Sequence, residues 1–176
     1  VAVFVATTIL TLLCTAFVYA EAQVGIKIGE WVRCDYTGNG APPGDVPQWV
    51  QVECLSVTVT TATLRVISHM SSGTEQNEIV TLDVVSGTGN STFQMLIPAN
   101  SKTGDTIKIV GYGDLTIAGE TTGTYAGVSR TVVYASFSQN DMQFSYRWDK
   151  QTGVLLEITL TQGSTSATFK ATSTNI

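Results

Sequence analysis

Few side chains in this sequence are equipped for chemistry, and their spacing narrows what that chemistry is. The single histidine, His69, precedes Met70-Ser71-Ser72-Gly73 at the end of a strand-like run. That context predicts an exposed edge residue rather than a catalyst. Asp141, Asp149 and Glu157 fall within or beside the last strand-like runs. Glycosidase-type acid and base work would require folding to bring two of these carboxylates within about 5 to 10 Å of each other. No G-x-S-x-G, Walker-type phosphate loop, H-E-x-x-H, Cys-x-x-Cys or calcium-loop pattern is present. The residues therefore point away from an enzyme and imply no catalytic residue, no cofactor and no metal.

Cysteine chemistry is the next candidate. Cys14 lies in an uncharged stretch, where a thiol stays protonated and acts as a small apolar residue. Cys34 and Cys54 lie in two strand-like runs, 26–36 and 49–59, that flank the loop TGNGAPPGDVP at 37–47. If those runs form a hairpin, the two cysteines sit nearly opposite each other, and a disulfide is expected in an oxidising compartment. Closing a loop of about 20 residues would contribute roughly 3 kcal/mol. Two cysteines and one distant histidine do not make a zinc spacing. Asn90-Ser91-Thr92 is an N-glycosylation sequon in a Gly-rich turn, so Asn90 is the expected glycan site, and exposed Ser and Thr offer further O-linked positions.

The elements that must carry these residues divide into two parts. Residues 1–20, VAVFVATTILTLLCTAFVYA, contain no charged side chain, and the first charge arrives at Glu21. Twenty helical residues would span about 30 Å, the hydrocarbon thickness of a bilayer. The expectation is a hydrophobic N-terminal helix over 1–23, with Thr7, Thr11 and Thr15 on one stripe and Phe4, Ile9, Leu12, Leu13 and Phe17 on much of the rest. Val18-Tyr19-Ala20 also fits a small-x-Ala cleavage site, so a signal peptide or a simple anchor is the rival reading of the same stretch.

From residue 24 onward, short runs alternate with period two, are rich in β-branched residues, and are broken by Gly, Asn and Pro. Strands are expected at 26–36, 49–59, 62–68, 78–85, 91–96, 106–110, 113–118, 121–125, 129–138, 142–149, 155–162 and 166–172. Eleven or twelve strands exceed what one flat sheet of this size holds. An antiparallel β-sandwich or partly closed barrel over 24–176 follows, which makes the whole chain mainly β with one N-terminal α-helix. Trp31, Trp49, Tyr134, Phe144, Tyr146 and Trp148 read as core and cross-strand pairs.

An uncharged stretch at the N-terminus ahead of a β-rich remainder resembles the archaeal type IV pilins and archaellins. In those families a peptidase removes a short basic leader, and the hydrophobic run becomes the mature N-terminus. Bacterial type IV pilins usually carry glutamate at the fifth mature position; Val5 stands here, as in the archaeal branch. IPANSKTGDTI at 97–107 and YRWDKQTGVLLE at 146–157 are similar to segments of uncharacterised archaeal surface proteins. The resemblance implies a polymerisation helix presenting Val1, Phe4, Val5, Ile9, Leu12, Leu13 and Phe17, held in the membrane before assembly and then buried among copies of itself. It further implies an extracellular homopolymeric filament, with adhesion as its task. The competing expectation is an exported, monomeric β-sandwich surface or binding protein.

Composition agrees with an exposed surface protein. Of the 176 residues only 13% are charged, against about a quarter in an average soluble domain, and Ser plus Thr make up roughly a quarter of the chain. A net charge of -5 with nine scattered basic residues argues against a nucleic-acid partner.

Overall fold

The computed structural model describes residues 23–39, 46–91 and 93–176. Those residues form an all-β fold of eleven strands: β1 (Trp31–Asn39), β2 (Pro47–Val57), β3 (Thr61–Met70), β4 (Glu75–Asp83), β5 (Thr106–Ile109), β6 (Gly113–Thr116), β7 (Gly119–Tyr125), β8 (Val128–Gln139), β9 (Met142–Asp149), β10 (Leu155–Gln162) and β11 (Thr165–Thr174). The expected class, mainly β with an N-terminal helix, is corrected on two counts. No helix occurs among the described residues, and the helix expected over 1–23 falls outside them apart from Gln23, which is not helical. The expected antiparallel β-sandwich or partly closed barrel gives way to one nine-stranded antiparallel sheet, ordered β4-β3-β2-β1-β11-β10-β9-β8-β7, beside a two-stranded β5-β6 hairpin.

The physical reason is connectivity. Tight turns join β2 through β4 and β7 through β11 into runs of neighbouring hairpins, β1 pairs beside β2, and each new hairpin extends the same sheet. The two runs are stitched together where β1 pairs with β11 from Val32↔Thr174 to Asn39↔Ser166. So wide a sheet cannot stay flat, because adjacent strands twist. Its β7 end curls back until the Ala126 N–H donates to the Ala171 carbonyl of β11 at 3.2 Å, four positions away in the strand order.

Alternation decides which face is dry. Partners directly opposite in a register share a face. Val32 pairs with Val52 and Val52 with Val66; Cys54 pairs with Leu64 and Leu64 with Val80; Phe169 pairs with Ile158 and Ile158 with Tyr146. The residues between them, such as Arg33, Glu53, Arg65, Arg147 and Lys170, occupy the outer face. There Arg65 meets Glu53 at 2.5 Å, and Glu157 is 3.6 Å from both Arg147 and Lys170.

The insert between β4 and β7, residues 84–118, lies over the apolar face. It contributes Val84, Leu96, Ile97, Ile107, Ile109, Leu115 and Ile117 to two buried clusters. Its fastenings are polar. The Trp148 indole donates to the Gln94 carbonyl at 3.0 Å. Fully buried Gln94 uses its side chain to donate to the Leu96 carbonyl at 2.6 Å and to accept from the Val110 N–H at 2.9 Å. Gly153 has φ +75° and packs so closely on the Ile97 carbonyl that a Cβ would overlap it, which requires glycine in this turn. Of the expected strands, 91–96 does not form; only an isolated bridge, Leu96↔Val154, remains there.

Coverage by the insert is partial. At the end of the sheet near the β7-β8 turn, Cys54, Leu64, Val133, Trp148, Leu156 and Ala171 are all buried. Two to four residues along the same strands, toward the end holding the 139–141 turn, Val50, Phe137, Phe144, Leu160 and Phe169 are only half-buried on the same face.

Candidate functional site

The residues singled out for chemistry do not converge. Asp141 sits in the turn before β9 and Asp149 at its far end, an extended run of about 26 Å. Glu157 is on the outer face between Arg147 and Lys170. His69 is not at the sheet edge either, since β4 lies outside β3. Its ring stacks on Trp49 with centroids 5.2 Å apart and planes 3° from parallel, while Arg33 lies 4.3 Å over the indole and Glu75 is 3.5 Å from Nδ1. This is a cross-strand stack, with the imidazole held between an aromatic face and a carboxylate.

The expected Cys34–Cys54 disulfide is not formed; both thiols are free. Cys34 pairs across the hairpin with Val50, whereas Cys54 lies four residues further along β2 and pairs with Leu64 of β3. Four residues of strand separate them by about 13 Å, twice the Cα distance a disulfide tolerates. Both cysteines lie in the expected strands, but the β1–β2 register sets Cys34 against Val50, four residues short of Cys54. Burial, helped by Asp35 and Glu157, pushes the Cys34 thiol up to about 12. Burial also raises Cys54, with Glu30 and Glu53 adding to the effect.

Asn90 is exposed, and its side chain is engaged. The amide oxygen accepts from the Thr81 N–H at 2.7 Å, and Nδ2 donates to the Ile79 carbonyl at 3.1 Å. The amide thus imitates an added strand along edge strand β4. Val1, Phe4, Val5, Ile9, Leu12, Leu13 and Phe17 lie outside the described residues.

Two of the concavities among the described residues bear on function. The larger is an open polar cleft of about 920 Å³ at the end of the domain where residue 23 begins, bordered by Lys27, Glu30, Asn100, Arg130, Asp149 and Lys150. Arg130, mostly buried, bonds Asp149 at 3.2 Å and the Ile176 carbonyl at 2.8 Å. The other Asp149 oxygen accepts from the backbone and hydroxyl of Thr152, and Lys150 bonds Glu120 at 2.6 Å. These contacts brace the 149–153 turn, while the buried Arg130 Nε has no hydrogen-bond partner among the described residues. No cluster of three or more potential metal ligands occurs among the described residues, and the cleft borders supply no histidine or cysteine beside the carboxylates.

The smaller concavity is an apolar cavity of about 90 Å³ between the sheet and residues 93–95 of the insert. Its lining is wholly apolar apart from the Cys34 thiol. It lies where the insert's cover ends, and sequence reasoning missed it. Alternation predicts that Cys34, Val50, Leu160 and Phe169 face inward, but nothing in the sequence reveals how far the cover extends. Its chemistry is restricted to accepting an apolar group of about one side chain's size, since a cavity with no polar partner favours no water.

Comparison with known protein families, curated proteins and solved structures finds no match to this chain. The site must be interpreted from its own chemistry.

Proposed function

We propose that this protein is a structural subunit of an extracellular pilus-like filament, assembling through its apolar N-terminal segment and serving adhesion. The observation that carries this reading is the combination of twenty uncharged residues, 1–20, with a β domain of few charges and many hydroxyls. Such a segment has no stable place in water; it is accommodated by lipid before assembly and by neighbouring copies afterwards. Repetition of one heterologous contact that does not close produces a helical filament. Covalent glycans on Asn90 or on exposed Ser and Thr belong to the same reading, as hydration that does not depend on charge.

A second reading draws on Val18-Tyr19-Ala20, the small-x-Ala sequence. Under it, residues 1–20 are a signal or anchor, and the β domain works alone as an exported binding protein. The test is to express the protein with its natural upstream sequence and determine the N-terminus and intact mass of the material released from cells. Retention of residues 1–20 together with filaments visible by negative-stain electron microscopy is the expected result. A mature chain starting at Glu21 that stays monomeric sinks the filament reading.

A further inference from the structure

We propose that the apolar cavity beside Cys34 is the docking site for a side chain from residues 1–20 of a second copy of this chain. The inference rests on the filament reading above and names the surface that receives the segment.

The cavity defines its occupant by exclusion. No charged group and no hydrogen-bonding group beyond the Cys34 thiol lines it, so a charged or hydroxylated ligand would lose its water without compensation. At about 90 Å³ it holds one aliphatic or small aromatic side chain. Around it, Val50, Leu160 and Phe169 are half-buried and continue into Phe144, as far as Phe137 on which Tyr112 of the insert stacks, so the cavity is the deepest point of a larger, incompletely covered apolar strip. The chain supplies a matching partner: 22 residues lie outside the described part ahead of Gln23, and the first twenty offer Val, Ile, Leu and Phe side chains with no charge among them. An apolar anchor set in a fitted pocket is the usual centre of a protein contact.

Gln23 leaves the domain at the end of the strands away from the half-buried members of the strip, an arrangement that suits head-to-tail stacking of copies. Its carbonyl accepts from the Ala99 N–H at 2.8 Å, and the adjacent Val24 N–H donates to Val59 at 3.0 Å. Both contacts lie at the covered end of the sheet, beside the β2-β3 turn and the polar cleft. The half-buried members of the strip lie toward the opposite end of the strands. Stacking copies along the strand direction therefore sets the departing segment of one against the open strip of the next. That contact joins unlike surfaces, so it repeats without closing.

The test uses the full chain, purified in detergent and allowed to assemble as detergent is removed. Assembly is followed by pelleting and negative-stain electron microscopy. Leu160→Lys puts a charge at the mouth, and Val50→Phe fills the cavity from within. Each is expected to raise the concentration needed for assembly by about tenfold or more, the change that follows when one apolar anchor is excluded. Gln143→Lys, on the exposed outer face of β9, should assemble as the parent does. A benzophenone side chain in place of Leu160, in a chain mixed with a ¹⁵N-labelled parent, should cross-link to a labelled peptide from residues 1–20. That readout does not depend on either substitution being tolerated. Normal filaments from both Leu160→Lys and Val50→Phe, or cross-links only within one chain, overturn this inference and leave the filament reading standing. A chain that stays monomeric with and without residues 1–20 overturns both.

Discussion

The two halves of the apolar face are built from the same kinds of residues and reach different states of burial. On β9, Trp148 and Tyr146 are sealed while Phe144 is not; on β8, Val133 and Ala135 are sealed while Phe137 is not; on β11, Ala171 is sealed and Phe169 is not. Strand alternation is unbroken across the boundary, and one aromatic row, Trp148, Tyr146, Phe144, Phe137 and Tyr112, runs through it at centroid spacings of 3.9 to 6.4 Å. Residues 84–118 lie fully over the sealed half and reach the other only at its margin, where Tyr112 stacks on Phe137 and Phe93 borders the cavity. A period-two pattern thus specifies which face avoids water. The extent of cover comes from a segment with little periodicity, fastened by Gln94, Asp83 and a few backbone bonds.

The largest expected effect compares one residue from each half. Trp148→Ala removes a fully buried ring and strands the Gln94 carbonyl, and should destabilise the domain by about 3 to 5 kcal/mol. Phe169→Ala removes a half-buried ring whose main aromatic neighbour is Tyr36 at 5.3 Å, and should cost about 1 to 2 kcal/mol in the unassembled protein. Denaturant unfolding of both variants measures the difference. Equal losses would show that the open half is packed as well as the covered one and would break the comparison.

Next in size is the fastening itself. Gln94→Ala leaves the Val110 N–H and the Leu96 carbonyl without their side-chain partner beneath the insert, an expected loss of about 2 to 3 kcal/mol. Hydrogen exchange should then rise first at residues 94–110 while β2 and β3 keep their protection. If exchange rises uniformly, the insert is not a separately fastened lid on the sheet.

How much of this was legible in the sequence follows the same division. The strands could be read because alternation and turn residues are local: 142–149 and 155–162 were expected within the bounds observed for β9 and β10. The single sheet could not be read, because pairing of β1 with β11 joins residues more than 125 apart. Run 91–96 has strand-like composition, yet Gln94 and Trp148 fix it as irregular cover through contacts no window shows. Cys34 and Cys54 were legible as hairpin residues and illegible as a pair, since a shift in register along a strand leaves the sequence pattern unchanged. The sequence pattern places His69 at an edge because β4, which covers that flank, begins at Glu75, earlier than its apolar residues suggest.

A smaller effect concerns the root of the insert. Asp83 accepts from the Ser86 N–H at 2.7 Å, from Thr60 at 2.8 Å and from Thr61 at 3.1 Å. These bonds, the Ser86 backbone N–H foremost, hold its carboxyl well below the usual carboxylate range. A depressed folded pKa contributes stability that is present above the unfolded value near 4 and is lost as pH falls through the folded value. Asp83→Asn should therefore lower the melting temperature at pH 7. The gap between variant and parent should narrow as pH drops below about 4. A gap independent of pH would assign the loss to geometry instead of charge.

The smallest effect is a rate, and it falls at the boundary between the halves. Cys34 borders the uncovered strip, and burial lifts its thiol to about 12; Cys54 is wholly enclosed in the covered half. Since the thiolate is the nucleophile, a free cysteine with a pKa near 8.5 is about three thousandfold richer in it at neutral pH than Cys34. A small uncharged thiosulfonate should consequently modify Cys34 far more slowly than it modifies the unfolded chain. It should still react faster with Cys34 than with Cys54, which becomes accessible only on unfolding. Linkage fixes the sign of the accompanying pH effect. A raised folded pKa contributes stability that is complete below the unfolded value and declines as pH climbs from about 8.5 toward 12. Cys34→Ala should accordingly flatten the alkaline limb of the stability curve. Modification of both thiols at one rate, with urea accelerating both alike, would mean that the two halves open together and that the uncovered strip has no separate access to solvent.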